Sequence, residues 1–140
     1  MALIVERVDT WAAPIKDEAG ALHEKLAGLA AAGVSLEFMV ARRAPEKPGT
    51  GVVFITPIHG AAACRAARQL GFSRSKSLHT VRVEGRDRAG EGARITSTLA
   101  ARGISLRGMS VASVGRKFIA HVAVDNTKDA GKVVRALKTL

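Results

Sequence analysis

Two short stretches of the sequence combine residue types that could do chemistry: Asp17-Glu-Ala19-Gly20-Ala21-Leu22 and Asp87-Arg88-Ala89-Gly90-Glu91-Gly92. In each, an aspartate precedes by three residues a glycine that opens an alanine-rich run. A helix beginning there presents unpaired backbone N–H groups and a partial positive charge, which suit a carboxylate, and the glycine lets a ligand approach the backbone. The aspartate has two readings, a cap for the first turn of the helix or a partner for a ligand ammonium group. Ser35-Leu36 and Ser105-Leu106 follow the same runs. Their hydroxyls either bond locally in the turn or donate to a ligand from a neighbouring unit.

Other chemistry finds no support. Gly90-Glu-Gly92 lacks the third glycine of a dinucleotide loop, and no Gly-Lys-Ser/Thr phosphate loop exists. His23, His59, His79 and His121 show no repeated ligand spacing. His79 and His121 fall on strands expected to be neighbours and read as a polar pair on an open sheet face rather than as metal ligands. Cys64 is the sole cysteine, so no intrachain disulfide or cysteine zinc cage can form. It reads as an inert thiol despite Arg65 and Arg68 nearby. No catalytic residue, cofactor or metal is expected.

The elements that position these stretches repeat. Shifting the 140-residue chain by 70 residues superposes Asp17 on Asp87, Gly20 on Gly90, Leu29 on Leu99, Gly33 on Gly103, Ser35 on Ser105, Leu36 on Leu106 and Met39 on Met109. Each copy reads the same way. A strand holds Trp11-Ala12-Ala13 or alternating Val81 and Val83. A helix follows, with Leu22, Leu26 and Leu29, or Ile95 and Leu99, on one face, and ends at Gly33 or Gly103. Second strands are expected over 35–42 and 105–114, third strands over 51–56 and 117–125, and second helices over 61–70 and 129–140. The turn between second and third strands is a longer loop in the first copy and a two-residue hairpin at Gly115-Arg116 in the second. Phe72 to Leu78 offers the first copy a fourth strand; the second copy has none of its own. Leu3 to Arg7 either closes the C-terminal copy or merely lengthens the first strand. The pattern predicts an α+β fold of two tandem βαββαβ units with antiparallel sheets, one over residues 1–78 and one over 79–140, with residues 1–8 as candidate closing strand of the second.

Asp87-Arg-Ala-Gly90-Glu-Gly-Ala-Arg-Ile95 with Leu99-Ala-Ala-Arg-Gly103-Ile-Ser-Leu106, and the weaker copy from Asp17 to Leu36, resemble the ACT family of ferredoxin-like regulatory domains in tandem. The sequence departs from the family's common pattern at Ala19 and Ala89, where proline is frequent, and at Ser35 and Ser105, where asparagine is frequent. The resemblance implies a non-catalytic regulatory or sensor protein. Its small effector, an amino acid, would sit at an ACT–ACT interface on residues 17, 19–22, 35, 36, 87–92, 105 and 106. A homodimer is expected, because a unit of 70 residues buries only roughly 60% of its unfolded surface.

The charge is uneven. Residues 1–70 carry eight Lys and Arg against seven Asp and Glu, whereas residues 71–140 carry 14 against five, almost all of the net +10. An acidic protein partner is one reading of this excess. The competing function is a basic ferredoxin-like nucleic-acid-binding protein. That mode needs exposed aromatic rings, and the chain has no Tyr, with only Phe54 and Phe118 on third strands. The apolar run Leu3-Ile4-Val5 is too short for a signal peptide or a membrane span. A cytoplasmic location without membrane association is therefore expected.

Overall fold

A computed structural model describes residues 2–140; Met1, at the head of the expected N-terminal segment, lies outside them. The chain runs β1 (Ile4–Val8), β2 (Trp11–Lys16), α1 (Ala21–Ala31), β3 (Phe38–Arg43), β4 (Thr50–Thr56), α2 (Ala61–Gln69), β5 (Ser73–Arg74), β6 (His79–Arg86), α3 (Glu91–Ala101), β7 (Gly108–Val114), β8 (Lys117–Val124) and α4 (Thr127–Leu137). Two antiparallel four-stranded sheets form, in the orders β3-β4-β2-β5 and β1-β6-β8-β7. One compact unit is Asp9–Ser75; the other joins residues 2–8 to Lys76–Leu140.

In the unit of Asp9–Ser75, Trp11 and Ala13 on β2 and Val53 and Ile55 on β4 point the same way and are buried with Leu29 of α1 and Ala67 of α2. Alternation along each strand puts these residues on one face, and the helices bury it. Gly33 takes φ 76° immediately after the C-cap of α1, and Gly103 takes φ 69° after α3, the left-handed geometry that glycine accepts freely. The expected fourth strand is reduced to Ser73–Arg74, paired with Trp11 and Ala12.

The other unit buries Val81, Val83, Phe118, Ala120 and Val122 of the sheet against Ile95 and Leu99 of α3 and Val133, Ala136 and Leu137 of α4. Each such side chain stabilises by about 1.5–3 kcal/mol when fully removed from water, alanines less. Of the two readings of the N-terminal segment, the closing strand is the one the fold adopts. β1 pairs antiparallel with β6, from Ile4 opposite Glu84 to Val8 opposite Thr80. Val5 is buried and Leu3 packs on the same core. Gly85 makes room for this: a Cβ there would lie 2.6 Å from a Leu3 methyl and 2.7 Å from the Phe118 ring.

Candidate functional site

Asp17 and Asp87 do not cap their helices. The N-cap positions are Gly20 and Gly90, both left-handed with φ near 90° (88° and 89°), and neither helix receives a side-chain cap. The first-turn N–H groups therefore end behind a residue without a Cβ, and a Cβ built at either glycine would meet nothing within 4 Å. Two helix N-termini without a side-chain cap result, each with partial positive charge; the first N–H groups, of Ala21 and Glu91, turn back on the Glu18 and Arg88 carbonyls at 3.3 Å, which leaves the next N–H groups of the first turn open.

The loops are held alike from below. Asp17 donates its backbone N–H to the Gly49 carbonyl at 3.0 Å, and Asp87 donates to Arg116 at 2.8 Å, so each loop is tied to the turn that follows the second strand of its unit. Their side chains differ. The Asp17 carboxylate meets Arg43 Nε at 2.9 Å. Arg43 aligns with Ser113 under the 70-residue shift, so Asp87 has no such arginine. In the second loop the charge is arranged instead around Glu91, whose carboxylate lies 2.8 Å from Arg94 Nη2 and 3.6 Å from Arg88 Nη2. Arg43 was invisible in the sequence as a loop partner, because its place depends on the register of β3 with β4, which pairs Arg43 with Gly51.

Ala19 and Ala89 are exposed beside the glycines, Ala21, Leu22 and Gly92 are half-buried at the helix starts, and Ser35 and Ser105 are exposed with Leu36 and Leu106 half-buried behind them. Within a unit these residues fall into two groups. Lys16, just before the first loop, pairs with Thr50, whereas Glu37, just after Leu36, donates to the carbonyl of Thr56 at the other end of β4. Likewise Arg86 pairs with Lys117, and Arg107 donates to Ala123. Six or so residues of strand separate the groups by about 20 Å. One unit alone therefore cannot bring its serine to its own loop.

His79 and His121 are not a pair. His79 stands opposite Val124 and His121 opposite Arg82, three ladder positions apart, which puts the two rings on opposite faces of the sheet. His79 Nε2 lies instead 3.1 Å from the Lys76 carbonyl oxygen. On the face away from the helices, Glu84 is bound by Lys117 Nζ at 3.1 Å and by Arg82 Nη1 at 3.1 Å. These two contacts, Lys117 first, hold its carboxyl below the usual carboxylate range. Among the described residues no group of three or more His, Cys, Asp or Glu could hold a metal ion. Among the described residues no helix is long and apolar enough to cross a membrane. Phe118, the only Phe, Tyr or Trp among 76–140, is 2% exposed in the core, so the basic unit offers none of these rings for a base to stack on.

Residues 79–140 match the family model described as the ACT domain. No curated protein matches the chain significantly. Among solved structures, a protein from Bacteroides thetaiotaomicron superposes with a TM-score of 0.77 at 14% identity, covering 94% of this chain and 88% of that one. The ligand-free regulatory subunit of aspartate kinase from Thermus thermophilus gives 0.65 at 12%, covering 99% and 96%. Aspartokinase III of E. coli in complex with lysine and aspartate gives 0.55 at 17%, covering 99% of this chain and 32% of that one. The C-terminal unit is thus similar to ACT domains over residues 79–140. The chain as a whole has the tandem ACT-like fold seen in the regulatory parts of aspartate kinases.

Proposed function

We propose that the protein is a non-catalytic sensor that binds a small amino acid at a site built by paired ACT-like units and passes the resulting conformational change to a partner. The observation that carries this reading is the duplicated open helix N-terminus behind Gly20 and Gly90. Each offers unpaired N–H groups to an α-carboxylate, and the acidic residues beside them, Asp87 in the freer loop, suit an α-ammonium. Because loop and serine lie at opposite ends of one sheet, a site using both needs two units, the loop from one and Ser35 or Ser105 from the other. Edge strands β3 and β7, which expose Met39, Val40, Val111 and Val114, are the surfaces on which a unit of a second chain would dock. The aspartokinase neighbours support an effector of this class, one of them holding lysine and aspartate.

Thermal shift against the twenty amino acids tests the proposal. A bound effector at a hundredfold excess over Kd stabilises by about 2.7 kcal/mol. Gly90→Val and Gly20→Val, which fill the approach to the N–H groups, should abolish the shift at their own loops. No shift with any amino acid, or a shift indifferent to both substitutions, refutes the reading.

A further inference from the structure

We infer that α4 carries a docking surface for an acidic amphipathic helix of a partner protein, independent of the effector site. The buried side of α4 is formed by Ala130, Val133, Ala136 and Leu137. At 100° per residue, Lys128, Lys132, Arg135 and Lys138 lie on the opposite side, within an arc of about 120°. Lys128, Arg135 and Lys138 are exposed and Lys132 is half-buried. Register adds a fifth cation. Arg7 pairs with the core residue Val81, so it lies on the helix-covered side of β1, and α4 packs on β1. The acid on the helix, Asp129, is engaged at the N-cap, where Asn126 accepts from its backbone N–H at 2.8 Å and donates to its carboxylate. None of the four α4 cations has an ion-pair partner among the described residues.

The internal repeat shows that the fold does not require this stripe. The matching helix α2 keeps Arg65 and Arg68, the counterparts of Arg135 and Lys138, but has Ala62 where α4 has Lys132, and the counterpart of Lys128 is Ile58, which precedes the helix. The same architecture is thus built once with half a stripe and once with a full one.

Spacing selects the partner. Steps of four, three and three residues place the cations about 6, 4.5 and 4.5 Å apart along the axis, the repeat of Glu or Asp on one face of another α-helix. On α3, Ala93, Thr96, Ser97 and Ala100 are exposed, small and uncharged. A nucleic acid would bind through phosphates alone, given the burial of Phe118.

The test uses the full chain and a synthetic helical peptide of about 20 residues, long enough to hold helix, with Glu at i, i+4 and i+7 on one face. Its composition-matched scramble, a random-sequence RNA duplex and anionic lipid vesicles serve as competitors, with binding read by fluorescence anisotropy at low salt. The striped peptide should bind more tightly than all three. Lys132→Ala/Arg135→Ala should weaken it about fivefold or more while Arg65→Ala/Arg68→Ala does not, both variants being checked for unchanged melting. Equal binding of the scramble, tighter binding of RNA or vesicles, or equal loss in the two double variants overturns the assignment. So does an absence of binding at low salt. A failed amino-acid shift bears on the effector site alone.

Discussion

Strand parity at the N-terminus permits a sharp experiment. Val5 is 8% exposed and belongs to the core of the C-terminal unit, whereas its neighbour Ile4, on the other face of β1, is 54% exposed. Val5→Ala deletes two methyl groups from a packed site, a loss of about 1.6 kcal/mol by transfer plus a cavity contribution, or about 2 kcal/mol in all. For a unit of this size that lowers Tm by about 8–16 °C. Ile4→Ala should change stability by less than about 0.5 kcal/mol. Deleting residues 1–8 removes the whole ladder of five residue pairs with β6 together with the burial of Val5 and Leu3. At about 1 kcal/mol net per hydrogen bond plus the apolar burial, the loss reaches about 5 kcal/mol or more, comparable with the entire stability of an ordinary domain. Calorimetry reads the melting, and hydrogen exchange at the amides of 80–84 reports locally. A truncated chain that melts like the intact one, or equal effects of Val5→Ala and Ile4→Ala, would refute the pairing of β1 with β6 and the parity on which it rests.

Three further outcomes follow from single contacts. Asn126→Ala removes the side chain that accepts from Asp129 N–H at the start of α4 and should cost about 1 kcal/mol, read by chemical denaturation. Gly28→Ala would put a Cβ 2.6 Å from a methyl of Leu70 where α1 meets the end of α2; overpacking of about 1–3 kcal/mol, set against a gain of about 1 kcal/mol in helix propensity, should leave a net destabilisation of up to about 2 kcal/mol, read by chemical denaturation. Glu84 has a carboxyl lowered from its ordinary value of 4.5, so its contribution is fully present above that pH and fades as pH falls through the lower folded value. Melting of the wild type and Glu84→Gln should therefore differ at pH 7 and converge as the pH is taken well below 4.5; a difference that grows on acidification would contradict the sign.

The fold was legible because its signals are local and doubled. Leu29 and Leu99 are each 1% exposed at matched positions, and Gly33 and Gly103 end both first helices with positive φ, as the shared pattern of the two copies requires. What the sequence hid depends on pairing between distant segments. Asp17 and Asp87 read as helix-start residues because Asp favours N-caps, yet the helices begin only after Gly20 and Gly90, leaving the carboxylates free to meet side chains from elsewhere. Arg43 reaches Asp17 only through the β3–β4 register. The histidines show the same limit, since adjacency of two strands was readable but the odd offset between His79 and His121 was not.

The way β1 crosses to β6 also sets an order of assembly. Seen along the chain, Asp9–Ser75 is an insertion inside the other unit, and Val5 must find Val83 across 77 intervening residues. The inserted unit shortens that search when it folds first, because its own ends are tied together, Ser75 donating its N–H to the Thr10 carbonyl at 2.7 Å. Reducing an effective loop of about 70 residues to about five lowers the closure entropy by about 2 kcal/mol. The less basic unit thereby acts as an internal splint, and lesions in its core should slow the folding of its neighbour as well as its own.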